Sequence, residues 1–104
     1  MMKNPVMNVP TINLAQTVVL SPDVISQEVS GETVLLDLES ENYFGLDEIG
    51  TRIWQLIHET NQLQLIFDTL MAEYEVSEKR LLTDLTALLT DIESKGLITL
   101  ELAK

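Results

Sequence analysis

Cysteine is absent from the 104-residue chain, which excludes disulfides, thiolate metal sites and cysteine nucleophiles. A chain without cysteine fits a reducing compartment, and we expect a cytoplasmic protein. No apolar run approaches the roughly 18 residues that a membrane helix needs. The first residues, in which Lys3 precedes a mixed polar stretch, lack the apolar core of a signal peptide. We therefore expect no association with membranes.

Positive charge is scarce, because 6 basic residues face 17 acidic ones and the formal net charge is −11. No lysine or arginine occurs between Lys3 and Arg52, whereas that interval contains eight acidic residues. Such a field repels phosphate backbones and favours cationic partners. A second interpretation, that the acidity only keeps a small protein soluble, is equally compatible with the composition.

The motifs of enzymes are missing as well. The chain has no glycine-rich phosphate loop, no G-x-S-x-G elbow and no H-E-x-x-H motif. His58, the only histidine, falls near a predicted helix end without an obvious acid–base partner. Asp84 and Asp91 are seven residues apart, about two helical turns, so they do not converge as metal ligands would. We expect no catalysis, no metal and no cofactor.

What is present is enough apolar sequence, 45%, for one small globular domain. Residues 1–16 contain Pro5 and Pro10 and have no sustained period, so we predict a flexible N-terminal arm there. Residues 17–104 are predicted to form the domain.

Alternating and β-branched stretches predict the strands. Thr17–Leu20 is β-branched and apolar before Ser21-Pro22-Asp23 interrupts it. A three-stranded antiparallel meander is predicted next, with a turn at Ser30-Gly31 and a polar corner at residues 39–42. Its strands are Val24–Val29, Thr33–Leu38 and Tyr43–Leu46.

Helical periodicity begins directly after the last of these strands. Asp47 is the predicted N-cap of a first helix that ends near residues 58–61, and a second helix is predicted over Gln62–Tyr74. Ser77 is the predicted N-cap of a third helix, Ser77–Lys95, which Gly96 terminates. Leu97–Leu102 is either a final strand or a tail on the core. The predicted fold class is α+β: a winged helix-turn-helix, with a three-stranded antiparallel sheet followed by three helices.

The charges argue against the nucleic-acid role that a winged helix suggests. The candidate recognition helix carries Lys79, Arg80 and Lys95, but four acidic residues oppose them. The predicted wing carries no base at all, so phosphate neutralisation has no basis there. We therefore expect no nucleic-acid partner.

Peptide binding fits these residues better, because a short sheet edge beside an amphipathic helix can accept an incoming strand. By alternation Phe44 and Leu46 face the core, while Tyr43 and Gly45 face away. Gly45 either lets another backbone approach or marks a simple bend.

The third helix leaves two interpretations open. Leu81, Leu85, Leu88 and Ile92 form one apolar column, which Leu82 and Leu89 widen. Either all six are core, or Leu82 and Leu89, with Thr86 between them, line a groove beside the last strand of the meander.

The run VSGETVLLDLESENYFGLDEIGTRIWQLI, a helix ending in AEY and a leucine-rich helix ending in KGLI resemble the PqqD-like family. Its members are small recognition elements for precursor peptides in ribosomal peptide natural-product pathways. The resemblance covers about Val18–Ile98. The order VLLDLES-x-NYFGLDEIG-x-R-IW followed by ESKGLI is its most distinctive part.

The resemblance implies a winged-helix domain that has no catalysis of its own and binds the leader segment of a precursor peptide as an added strand. It places that strand against residues 42–46, in a groove formed with the helix Ser77–Lys95. The implied partners are a leader peptide and a maturation enzyme, such as a radical-SAM enzyme or the peptidase of a split lasso-peptide protease. The expected peptide contacts are Asn42, Tyr43, Phe44, Gly45, Leu46, Leu82, Leu85, Thr86 and Leu89.

The alternative function is a winged-helix interaction or assembly module with no role in peptide maturation. An exposed strand edge can also pair with its own copy, which makes a homodimer a further alternative.

Overall fold

The computed structural model describes residues 12–102, which form five strands and three helices. The strands are β1 (Gln16–Leu20), β2 (Val24–Val29), β3 (Glu32–Asp37), β4 (Tyr43–Leu46) and β5 (Ile98–Leu102). The helices are α1 (Glu48–Glu59), α2 (Leu63–Glu73) and α3 (Glu78–Ser94). Most of the predicted arm, residues 1–11, lies outside the described residues, so its flexibility stays a prediction.

The predicted meander forms a three-stranded antiparallel sheet in the order β2-β3-β4. A two-residue turn joins β2 to β3, and both of its residues have positive φ, 56° at Ser30 and 83° at Gly31. Two consecutive left-handed residues match the twist of a two-residue hairpin. The sheet and the three helices after it confirm the predicted α+β winged-helix class.

The two ends of the domain pair with each other, which the predicted order of three strands and three helices did not include. β1 and β5 form a separate two-stranded antiparallel sheet, with a register from Gln16↔Leu102 to Leu20↔Ile98. Of the two interpretations of residues 97–102, the strand is correct. The pairing was missed because a local pattern indicates a strand without indicating a partner at the other end of the chain.

The core lies between the meander and the helices and contains leucine and isoleucine side chains from nearly every element. Leu35 of β3, Ile66 of α2 and Leu85 of α3 are all completely buried. One buried polar pair crosses this core, since the Thr33 hydroxyl donates to the Thr51 hydroxyl at 2.8 Å and ties β3 to α1. Both hydroxyls are thereby satisfied, so their burial carries little penalty.

Side-chain caps begin two of the helices where the sequence predicts them. Asp47 Oδ1 accepts a hydrogen bond from the Gly50 amide at 2.8 Å, and Ser77 Oγ accepts one from the Arg80 amide at 3.1 Å. Because Asp47 follows Leu46 directly, β4 passes into α1 without a loop. The position of β4 is therefore coupled to that of α1.

A bidentate ion pair joins α1 to α2. Arg52 Nε and Nη2 donate to the two carboxylate oxygens of Glu73 at 2.9 and 2.6 Å. These hydrogen bonds lower the pKa of Glu73 below its usual range and raise the pKa of Arg52. The pair stabilises the ionised carboxylate and thereby the packing of the two helices.

Candidate functional site

β4 is an edge strand. It pairs with β3 along Thr33↔Leu46 to Leu36↔Tyr43, and no other strand among residues 12–102 lies on its far side. An edge strand presents a row of backbone N–H and C=O groups that lack strand partners. This edge is therefore a place where another chain can add.

Two hydrogen bonds show which residues of β4 point their backbone groups outward. The amide of Asp37 donates to the carbonyl of its direct partner Asn42 at 3.0 Å, so residue 42 faces β3. On the other side of β3, the Leu38 amide donates to the Asp23 carbonyl at 2.8 Å. Bonded positions alternate in an antiparallel ladder, so each of these two bonds determines which residues of β4 bond to β3, and the two agree. Phe44 and Leu46 bond to β3, and Tyr43 and Gly45 face the open edge.

The side chains of β4 alternate in the predicted way. Leu46 is buried and Phe44 half-buried, whereas Tyr43 is 71% exposed and Gly45 is exposed. Phe44 and Leu46 therefore point their side chains towards the helices. Tyr43 and Gly45, whose backbone groups face the open edge, lie on the solvent face of the sheet.

A loop tied down by Asp37 sets where β4 begins. The buried carboxylate of Asp37 accepts from the Glu39 amide at 3.1 Å and from the Ser40 hydroxyl at 2.8 Å. Its carbonyl oxygen also accepts from the Glu41 amide at 2.7 Å, and Glu41 has a positive φ of 65°. The polar corner of the sequence is thus a specifically bonded turn.

An apolar pocket of about 580 Å³ lies beside β4. Phe44, Gly45 and Leu46 form its strand side, and Ile49, Gly50 and Ile53 of α1 form a second wall. The link between α2 and α3 contributes Tyr74, Glu75 and Val76, and α3 contributes Leu81, Asp84, Leu85 and Leu88. A pocket of this size and lining suits large apolar side chains.

The structure brings together only some of the residues predicted for the site. Phe44, Gly45, Leu46 and Leu85 line the pocket. Asn42 and Tyr43 lie at its strand edge but do not line it. Whether any of these residues contacts a peptide stays a prediction.

Leu82, Thr86 and Leu89 lie on the other flank of α3, so the interpretation that they line the groove beside β4 does not describe this pocket. At 100° per residue, these three positions are rotated by roughly 80–140° from Leu81, whereas Asp84 and Leu88 lie on the pocket side. Leu89 is completely buried, and Thr86 Oγ1 accepts a hydrogen bond from the Ile12 amide at 3.4 Å. Ile12, which precedes β1 and packs against the core, thus contacts this flank.

Sequence reasoning missed the pocket residues contributed by α1 and by the α2–α3 link. Tyr74 and Val76 flank a glutamate between two helices, and both are half-buried against the core. Two apolar residues in so short a link were a usable signal. Leu88 was recognised as apolar but could not be assigned to a pocket without its neighbours.

The charges around the pocket are mainly acidic. Asp47, Glu75 and Asp84 contribute to its lining, in keeping with the acidic composition. At the other end of β4, Lys95 Nζ lies 5.3 Å from the centre of the Phe44 ring and pairs with Asp91 at 3.0 Å. Because this lysine is paired with a carboxylate, the net charge around the pocket and β4 stays negative.

The remaining candidates for a catalytic or metal site offer little chemistry. His58 is exposed, its Nδ1 lies 3.0 Å from the Trp54 carbonyl oxygen, and its ring meets Trp54 edge-on. Within residues 12–102 no group of three or more histidine, aspartate or glutamate side chains could hold a metal ion. In the same part of the chain, no helix is long and apolar enough to cross a membrane.

Fold and site together define a small winged-helix domain with an open strand edge beside an apolar pocket. The family described as coenzyme PQQ synthesis protein D (PqqD) matches residues 32–98. The chain belongs to this PqqD family. Among curated proteins, none matches it significantly.

Two solved structures resemble the chain. One, described as TbiB1 in complex with the TbiA(beta) leader peptide, is 38% identical with a TM-score of 0.73, over 77% of this chain and 93% of its own. The other, a lasso peptide synthetase B1 complexed with the leader peptide, is 25% identical with a TM-score of 0.71. That match covers 80% of this chain and 98% of the other.

Proposed function

We propose that this protein captures the leader segment of a ribosomally made precursor peptide as an added strand on β4 and presents it to a separate maturation enzyme. It catalyses no reaction itself. The observation that carries the proposal is the outward-facing backbone of Tyr43 and Gly45 next to the apolar pocket. Both structural relatives are leader-peptide complexes, which supports the same type of ligand here.

The binding mode follows from the geometry of the edge. Tyr43 and Gly45 together offer two N–H donors and two C=O acceptors to an incoming backbone. Side chains of the added strand alternate between the faces of the sheet, so every second one points to the side of Phe44 and Leu46. The ladder hydrogen bonds supply affinity for any extended peptide, and the pocket selects apolar side chains at alternate positions.

The acidic lining adds a charge preference. Three carboxylates surround the pocket, and the whole chain carries a net charge of −11. A leader with basic residues next to its apolar ones would associate faster than an acidic one, and the difference would diminish at high salt.

A second surface of the domain supports the proposal of a partner enzyme. The outer face of the β2-β3-β4 sheet exposes Ile25, Val34, Leu38 and Tyr43, each by 44–71%. A contiguous set of exposed apolar side chains on one sheet face is typical of a protein interface. The part of this face around Ile25 and Leu38 lies towards β2, away from the open edge of β4 and from the pocket. The domain can therefore hold a peptide at its edge and a protein on that part of the outer face. An enzyme of lasso-peptide maturation is favoured, because one structural relative is a lasso peptide synthetase B1 in complex with a leader peptide.

The test is calorimetric titration of the full chain with the synthetic leader of the precursor peptide encoded next to it. Saturable binding with backbone chemical-shift changes centred on residues 42–46 is expected. No heat and no shift change would refute the proposal. An assembly module without a maturation role is distinguished by the neighbouring genes, since a peptidase, cyclase or radical-SAM gene belongs with peptide maturation.

The homodimer remains an alternative use of the same edge. If β4 pairs with its own copy, sedimentation should show a dimer in the free protein that dissociates when the leader is added. A monomer at all concentrations would contradict it.

A further inference from the structure

Gly45 has no role within the domain that requires a glycine. Positive φ among the glycines of residues 12–102 occurs at Gly31 and Gly96, so the backbone of Gly45 suits any residue. A Cβ built on Gly45 meets nothing within 4 Å, whereas one on Gly50 would lie 3.1 Å from the Leu46 Cβ. Packing therefore explains Gly50 and does not explain Gly45.

A glycine in a strand also weakens that strand, because it adds backbone entropy to the unfolded chain and buries no side chain. β4 is only four residues long and forms the open edge of the sheet. A glycine in it therefore destabilises the strand that the proposed ligand uses. Strand glycines often mark a bulge, a bend or a place where a ligand or another backbone approaches closely. Gly45 stays in regular register with Val34, which favours the close approach.

The missing side chain leaves a gap on the outer face of the sheet. Gly45 pairs with Val34 of β3, which is 44% exposed on the same face. Tyr43, two residues along β4, stands on this face as well and borders the gap. The gap therefore has the bare backbone of Gly45 as its floor and two exposed apolar side chains as its walls.

We infer, building on the proposed function, that the peptide residue opposite Gly45 carries a large apolar side chain, best an aromatic ring, which lies across the glycine and against Val34. Val34 stands two strand spacings, about 10 Å, from the added strand, and a ring bridges that distance only where the middle residue has no side chain. Aromatic rings packed over a glycine in the neighbouring strand stabilise sheets in this way.

The leader is then read on both faces of the sheet. The pocket takes a side chain on the helix side, and the gap over Gly45 takes the next residue along the peptide on the outer side. The ligand class is an extended peptide in which a pocket-filling apolar residue is adjacent to an aromatic one.

The experiment compares Gly45→Val with Gln27→Val, titrated with the leader of the neighbouring precursor gene. Both substitutions add the same side chain to the outer face, and residues 27 and 45 are the two cross-strand partners of Val34. Gly45→Val keeps its N–H and C=O, and its Cβ points into open space, so the fold should persist. Circular dichroism melting checks this, and Gly45→Ala provides a smaller step.

We expect Gly45→Val to weaken leader binding at least about tenfold and Gln27→Val to change it by less than about twofold. An alanine scan of the leader should identify one bulky residue whose replacement brings the parent and Gly45→Val to the same affinity. The Gly45 Hα resonances should move upfield when the intact leader binds, because a ring lies over them, and this movement should disappear with that alanine.

The two proposals fail differently. If Gly45→Val binds the leader as tightly as the parent, or if its loss is the same for every leader variant, the outer-face subsite is wrong and strand addition stands. If the parent itself does not bind the leader, the proposed function is wrong, and the subsite with it.

Discussion

The amide of Asp37 donates to the carbonyl oxygen of Asn42 at 3.0 Å, and this bond sets the phase of the ladder between β3 and β4. A shift by one residue would point the backbone groups of Phe44 and Leu46 to the open edge and those of Tyr43 and Gly45 to β3. The turn that carries this bond is held by the Asp37 carboxylate. The availability of the edge therefore depends on a residue outside β4.

Proline at Gly45 should weaken leader binding at least about tenfold, because it removes an outward donor that strand addition needs. Tyr43→Pro should act in the same way. Ser26→Pro is the control, since Ser26 also points its amide away from β3, on the opposite edge of the same sheet. It should bind within about twofold of the parent in calorimetry. A folded Gly45→Pro protein with the parent's affinity would contradict binding by strand addition.

Leu88 and Leu82 test which flank of α3 reads the peptide. Both are half-buried leucines of one helix, but only Leu88 lines the pocket. We expect Leu88→Ala to raise the leader Kd by about 5–30-fold, which corresponds to about 1–2 kcal/mol of lost apolar contact. Leu82→Ala should leave the Kd nearly unchanged, although it can lower stability. The reverse order in fluorescence or calorimetric titrations would assign the binding surface to the other flank.

Asp37→Ala should lower the free energy of unfolding by about 1–3 kcal/mol, because the Glu39 amide and the Ser40 hydroxyl lose their acceptor. Ser40→Ala removes only one of these bonds and should cost about 0.5–1.5 kcal/mol. Urea unfolding measures both. Leader affinity should also fall in Asp37→Ala, since the turn positions β4. Equal stability losses in the two variants would show that the carboxylate does not organise the turn.

The ion pair between Arg52 and Glu73 makes a contribution to stability that depends on pH. Arg52 lowers the pKa of Glu73 in the folded protein. A carboxyl with a depressed folded pKa stabilises the fold above its unfolded pKa, and this is lost as pH falls through the folded value. The parent should therefore exceed Glu73→Gln in stability at neutral pH. The difference should begin to shrink as the pH falls below the usual glutamate value of about 4.3 and vanish below the lowered pKa of Glu73.

Urea titrations of both proteins across this range provide the measurement. Arg52→Gln is the control background, in which adding Glu73→Gln should have no further pH-dependent effect. A stability difference that persists at acidic pH would assign the role of Glu73 to packing. Because the pair lies near the surface, the effect should also shrink with added salt.

Local patterns predicted most of the fold correctly. Alternation located β2, β3 and β4, Ser30-Gly31 marked their hairpin, and Asp47 and Ser77 cap the helices that they were expected to cap. Each of these features depends on residues within a few positions of each other. The sheet between β1 and β5 was beyond such reasoning, because its two strands lie about 80 residues apart in the sequence and only the arrangement of the elements between them brings them together.

In the candidate site, too, some features follow from the local sequence and others from the tertiary structure. The sequence alone determined that residues 43–46 form a short strand with Phe44 and Leu46 on one face, since a period of two leaves no other arrangement. It could not determine which flank of α3 borders that strand. The apolar arc of α3 is wide enough for either flank to face the core, so the periodicity is the same in both cases. Only the tertiary structure decided it, because Ile12 bonds to Thr86 on one flank whereas Leu88 lies beside the pocket on the other.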